Sequence, residues 1–423
     1  MKAIFGSNWL YVLILVPMSI VAQEYNTEEA EVPEYKLPEL LVNQSGKRIS
    51  TIEAWEKDRR AEVLKLFEEE VYGKQALETI AVDASEKLID SIAFEGKASL
   101  SEMTFTFKAN GKSLKAVLLL ILPNVNHPVP IFLGYNFNGN HTLLHNSSIS
   151  LPKGWVMSGD QIGVINNEAT AVSRGSKYAR WPVLNILARG YGLATMHYGD
   201  IDPDYDDGFQ NGIHALFSTS GNRNKSDWGS IASWSFGLSK IMDRLEKDPR
   251  INPDQVTVFG HSRLGKTALW AGAIDKRFAL VISNNSGCGG AALSKRQFGE
   301  TVAAINNRFP HWFCDNFKSY NNRELSMPFD QHQLLALIAP RPLYVASAKN
   351  DNWADPKGEF LSLKYASEVY SLYDEGNRIS VDQPPQNTPL IQNSLGYHLR
   401  NGNHDVTPYD WEQFMNFADL QFK

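Results

Sequence analysis

The chain is short of cysteine, short of positive charge and short of long apolar runs. It has two cysteines, Cys288 and Cys314, in 423 residues, so a disulfide framework cannot be what holds it together, and ordinary core burial must. Acidic residues outnumber basic ones, for a net charge of −6. That disfavours a nucleic acid as partner, because phosphate binding needs clustered Lys and Arg. Beyond the first residues no segment is apolar over the roughly 20 positions a membrane-spanning helix requires, so no membrane partner is expected. Low-complexity linkers and repeats are absent too. One large domain is therefore the expectation for residues 23–423, with an N-terminal extension over about residues 23–100.

The one apolar run that stands out lies at the start. Lys2 precedes the apolar stretch 10–21, and Ala22 is a small residue suited to cleavage. This is the pattern of a signal peptide over residues 1–22, so a secreted or periplasmic chain is expected from about Gln23. Residues 24–41 are acidic and proline-dotted and are expected to run extended along the surface. The ten tryptophans suit sugar rings as well as a large core.

Hydrophobic periodicity gives the elements. Residues 51–71 carry an amphipathic helical pattern. Residues 103–109 and 114–122 flank the turn Asn110-Gly111 and form a hairpin by turn chemistry. Apolar strands are expected at 129–137, 191–198, 256–259, 279–283, 343–348 and 397–400, with helices at 181–189, 230–246, 268–273 and 357–370 between them. Such alternation implies the α/β class: a mostly parallel sheet flanked by helices on both faces. Ligands of such sheets sit at the carboxyl ends of the strands.

The stretch Gly260-His261-Ser262-Arg263-Leu264-Gly265-Lys266-Thr267 joins a strand to a helix. It fits a nucleophile elbow, in which a tight turn lifts a serine hydroxyl above the sheet. It also fits, letter for letter, the phosphate-binding loop Gly-x-x-x-x-Gly-Lys-Thr. An exported chain with no evident second acidic strand argues against nucleotide. A serine nucleophile needs a base, and the base needs an orienting acid. Asp351 follows the strand 343–348, and His404 follows 397–400, in the order nucleophile, acid, base. Asp355, before Pro356, is better suited to capping a helix. His141, His261, His311, His332 and His398 compete with His404 for the base.

These residues carry a resemblance. Gly260-His-Ser-Arg-Leu-Gly-Lys266, Asn284 to Arg296, Gly299-Glu300-Thr301, Ala339-Pro-Arg-Pro342, Asp351-Asn-Trp-Ala-Asp-Pro356 and Gly402-Asn-His-Asp405 together resemble the glucuronoyl esterases of the bacterial type. That family has the α/β-hydrolase fold and cleaves esters between (4-O-methyl-)glucuronic acid on xylan and lignin alcohols. The resemblance implies Ser262 as nucleophile, His404 as general base, Asp351 as the acid and Arg263 as an oxyanion donor. It further implies Lys266, Glu300 and Trp353 as substrate contacts, glucuronoxylan and lignin-carbohydrate esters as substrate, and neither metal nor cofactor. One departure stands out: some members place a catalytic Glu where this chain has Asn285, so the acid role falls to Asp351. An acetyl xylan esterase on the same fold and a catalytically silent polysaccharide-binding protein are the alternatives.

Two further features complete the reading. An even cysteine count in an exported chain allows a Cys288–Cys314 disulfide, with two buried thiols as the alternative. Asp202-x-Asp204-x-Asp206 opens like a calcium loop. Asp207 stands where the sharp turn needs Gly, and Ile213 where the bidentate Glu belongs, so it reads as an acidic loop near the cleft.

Overall fold

The computed structural model describes residues 25–75, 80–158, 163–217 and 223–423. The proposed signal peptide lies outside the described residues. Among those described, no helix is long and apolar enough to cross a membrane.

A ten-stranded sheet runs through the molecule. Its strands are β1 (Ala81–Ala93), β2 (Ala98–Ala109), β3 (Lys112–Pro123), β4 (Val129–Asn136), β5 (Gly192–His197), β6 (Ile251–His261), β7 (Leu280–Asn284), β8 (Leu343–Ala348), β9 (Leu390–Gln392) and β10 (Leu395–Arg400). The spatial order is β1-β2-β3-β5-β4-β6-β7-β8-β10-β9. The inner run from β5 to β10 is parallel, and the outer strands pair antiparallel. This is the expected α/β-hydrolase arrangement.

Alternation along the inner strands builds two cores at once. Ile131 and Leu133 of β4, Val256 and Val258 of β6, and Leu343 and Val345 of β8 face one core. Their neighbours Phe132, Phe259, Tyr344 and Ala346 face the other. The first face is covered by α1 (Arg60–Glu70), α3 (Ser230–Leu245), α4 (Arg263–Ile274), α6 (Gln331–Ala336) and α7 (Pro356–Tyr373), and the short α5 (Val302–Arg308) adds Val302 and Ile305 to the same core. The second is covered by α2 (Val183–Ala188) and α8 (Pro408–Phe422). Strands buried on both faces read as continuous apolar runs, which is why these strands were visible in the sequence. The helix expected at 51–71 exists, but a π-helical segment, Trp55–Arg59, interrupts it.

The sheet starts at Ala81, and β2 crosses position 100, so the last part of the N-terminal extension lies in the main sheet. The cysteines form no disulfide: both are free and buried. The Cys314 thiol points at the Glu69 carbonyl at the end of α1, 3.6 Å away. Cys288 lies beside Glu300 and Lys266, where burial pushes its thiol well above the ordinary range. Each sulfur is committed to a different neighbourhood.

Candidate active site

β6 ends at His261 and α4 begins at Arg263, so Ser262 alone makes the turn from strand to helix. Its backbone sits at φ 58°, ψ −129°, a conformation that costs a non-glycine residue of order 1–3 kcal/mol. Two glycines permit it. A Cβ on Gly260 would lie 1.8 Å from the Leu264 carbonyl oxygen, and one on Gly265 would lie 2.9 Å from the Ser286 Cβ. The turn is locked by the Ser262 N–H donating to the Asn284 carbonyl at 2.9 Å, and by Gly265 N–H donating to the Ser262 carbonyl at 2.8 Å. Arg263, at the first helical position, has an N–H with no intrahelical acceptor. A one-residue turn leaves no loop to cradle phosphates, so the nucleotide template fails on geometry.

The seven residues singled out in the sequence (Ser262, Arg263, Lys266, Glu300, Asp351, Trp353 and His404) all line one cleft of about 310 Å³. It lies at the carboxyl ends of β6, β7, β8 and β10, where an open parallel sheet places its ligands. His404 Nδ1 is 2.6 Å from Asp351 Oδ2. The aspartate side chain is 4% exposed and the imidazole 40%, so the carboxylate stands behind a ring that reaches the cleft. A carboxylate on Nδ1 keeps the proton there and leaves Nε2 as the basic nitrogen.

Asn285 has a part that its sequence position did not reveal. Its side-chain amide donates to the same Asp351 oxygen at 2.8 Å. It reaches that oxygen from a left-handed backbone, φ 47°, and its N–H donates to the Ala346 carbonyl. Asn285 therefore orients the acid, not the imidazole.

The rival histidines have other partners. His398 is sealed in the core against Asp410 and Tyr344. His261 bonds Asn284, with its ring 4.5 Å from that of His404. His141 contacts Ser173, and His332 the Pro38 carbonyl. Asp355 caps α7 through Gly358 N–H and pairs with Arg296.

His311 belongs to a cluster built on Asp204. This buried carboxylate takes hydrogen bonds from His311, the Trp312 indole and Tyr198, and pairs with the Arg263 guanidinium. Burial pushes its pKa up, but these donors outweigh it and hold the carboxyl well below its usual range. Burial also opposes the charge on Arg263, and Asp204 more than restores it. The guanidinium lies 4.6 Å above the Trp312 ring and 5.2 Å from that of Phe309. Its Nε is buried and has no hydrogen-bond partner among the described residues. The acidic run that looked like the start of a calcium loop thus spends its middle carboxylate on Arg263.

On the other side of Ser262, Lys266 and Glu300 face each other at 3.9 Å. Burial lowers the lysine's pKa, opposed by Glu300. Burial raises that of Glu300, opposed by Lys266 and by a hydrogen bond with Trp353. The lysine also donates to the Ser286 carbonyl. A cation, a carboxylate and an indole thus meet at one end of the cleft.

A larger cleft, about 580 Å³, lies over β3 and β5 and includes Trp155, Tyr205 and His197. Its serine, Ser150, is bonded to Glu102. The smaller cleft is the chemical candidate because hydroxyl, imidazole and carboxylate converge there.

Known proteins resemble this chain in sequence and fold. A sequence profile described as glucuronyl esterase, fungi, matches residues 186–373. Carbohydrate esterase MZ0003, from an unknown prokaryotic organism, is 45% identical over 401 residues, covering 93% of this chain and 91% of that protein. A promiscuous esterase of carbohydrate esterase family 15 from a marine bacterial metagenome superposes with TM-score 0.89 at 44% identity, over 94% of this chain and 100% of that one. A glucuronoyl esterase from Solibacter usitatus superposes with TM-score 0.86 at 43% identity, with the same coverage.

Proposed function

This chain belongs to the glucuronoyl esterases of carbohydrate esterase family 15, which are carboxylic ester hydrolases, and we propose that it cleaves esters of (4-O-methyl-)glucuronic acid by acyl transfer through Ser262. The observation that carries the mechanism is the shared cleft: Ser262 on a strained elbow, with His404 backed by Asp351 at 2.6 Å.

In this proposal the Ser262 oxygen attacks the ester carbonyl while His404 Nε2 takes its proton. Asp351 stabilises the imidazolium so formed. Negative charge develops on the carbonyl oxygen next to the Arg263 N–H and guanidinium. A preorganised donor at that point is worth about 3 kcal/mol. Arg263 is suited to the task because Asp204 and two aromatic rings fix it, and a fixed charge needs no reorganisation. His404 then protonates the departing alcohol. Water attacks the glucuronoyl-Ser262 ester by the same steps in reverse. Lys266 and Glu300 take ring hydroxyls and Trp353 packs on a C–H face.

We also propose export, with residues 1–22 as a cleaved signal peptide, on the strength of the apolar run 10–21. A lignin alcohol on a glucuronoxylan chain is the substrate we propose, and the half-exposed His404 ring leaves the alcohol side open. The promiscuity ascribed to the metagenomic relative makes acetyl-ester cleavage the second reading. The test compares release of methanol from methyl 4-O-methylglucuronate, acetate from acetylated xylan, and methanol from a galacturonate ester. The proposal expects the glucuronate ester to have the highest kcat/KM. Faster acetate release would overturn it.

A further inference from the structure

Residues Tyr25 to Glu29, at the start of the described chain, lie against the sugar end of the cleft. The Tyr25 ring meets the Trp353 indole edge-on, with centroids 4.8 Å apart and planes at 88°. Next to it, the Asn26 carbonyl accepts the Gly299 N–H at 2.8 Å. Glu29 bridges two cations: Arg296 at 2.5 Å and Lys357 at 2.7 Å. Arg296 in turn grips Asp355 at 2.8 Å. So one short segment, which ends in the 3-10 turn Glu29–Glu31, touches both stretches that carry the sugar contacts. One runs from Arg296 to Glu300, the other from Trp353 into the first turn of α7 at Lys357.

Those stretches are coupled to each other as well. The Glu300 N–H donates to the Trp353 carbonyl at 2.9 Å, and the Trp353 side chain hydrogen bonds with the Glu300 carboxylate. The backbones are tightly apposed, since a Cβ on Gly299 would lie 2.2 Å from the Asn352 carbonyl oxygen. Trp353 is only partly buried, so the protein packs part of its ring and leaves the rest toward the cleft. Tyr25, 47% exposed, packs its ring against this partly exposed indole.

We propose that the segment Tyr25–Glu29 is part of the substrate site, with Tyr25 a positioning and specificity-determining residue that fixes the Trp353 indole for the uronate ring. The proposal rests on the glucuronoyl esterase reading. An indole free to rotate must be ordered by each incoming sugar, and that ordering cost appears as weaker binding. Edge-on contact with Tyr25 orders it beforehand. Glu29, through Arg296 and Lys357, holds the segment where that contact can form. The chemistry at Ser262 is untouched, so the effect belongs in KM and not in kcat.

The test uses the full chain with Tyr25→Ala and Tyr25→Phe, assayed on methyl 4-O-methylglucuronate. Loss of one edge-on aromatic contact converts to a KM rise of roughly three- to tenfold for Tyr25→Ala. Its kcat and melting temperature stay at the parent values, and Tyr25→Phe behaves as the parent. In a Ser262→Ala background, Tyr25→Ala weakens equilibrium binding of the same ester, read by tryptophan fluorescence, by the same factor. An unchanged KM, or a fall in kcat and melting temperature together, overturns the inference. A parent enzyme that leaves the glucuronate ester intact would instead sink the functional reading, so the two failures are distinct.

Discussion

At the scale of single residues, Asp351 Oδ2 is the atom that decides most. It receives both the His404 ring and the Asn285 amide. Asp351→Asn removes the charge that stabilises imidazolium and upsets the tautomer. We expect kcat to fall by about 10³–10⁴-fold, with the fold intact by circular dichroism. Asn285→Ala leaves the His404–Asp351 bond in place, so we expect less than about a tenfold loss in kcat. Because Asn285 sits at φ 47°, alanine there also costs ~1 kcal/mol of stability, which denaturant titration would register. Near-normal kcat in Asp351→Asn would overturn the assignment of the acid. Arg263→Ala tests the oxyanion site, and its kcat should drop about 10²–10³-fold. The Asp204 cluster that anchors this arginine was not legible, because it joins residues far apart in the chain: Tyr198, Asp204, Arg263, His311 and Trp312.

At the scale of elements, the elbow and the inner strands were legible because their constraints are local. A one-residue turn needs small neighbours, and a strand buried on both faces must be apolar throughout. β1 was not legible, because most of its residues are exposed and it is held by backbone pairing with β2, which leaves no alternation to detect. α7 carries a further consequence. Its Glu359 is fully buried and accepts hydrogen bonds from the Ser286 and Gly287 N–H groups and from the Ser347 hydroxyl. Burial pushes its carboxyl up to about 8, aided by nearby Asp351 and opposed by these donors. Between the model-peptide value of about 4.3 and about 8, the native carboxyl holds a proton that the unfolded one has released. Stability from this group therefore falls as pH rises through that window, and the loss is complete above it. Glu359→Gln should flatten the decline in melting temperature between pH 5 and pH 8. An identical slope in parent and variant would refute the assignment.

At the scale of the whole molecule, two hydrophobic cores on either side of one sheet carry the stability. With both thiols free and buried, no covalent clamp contributes. The melting temperature should be unchanged by reductant, and a thiol titration under denaturing, non-reducing conditions should count two free groups. A reductant-dependent melting temperature would contradict this. The sequence order Ser262, Asp351, His404 spans widely separated loops, and the sheet converts that order into one cleft. The measurement that tests the central claim most directly is hydrolysis of methyl 4-O-methylglucuronate by the parent and by Ser262→Ala. The account predicts turnover by the parent and a loss of about 10³-fold or more in the variant. A variant within tenfold of the parent would contradict it.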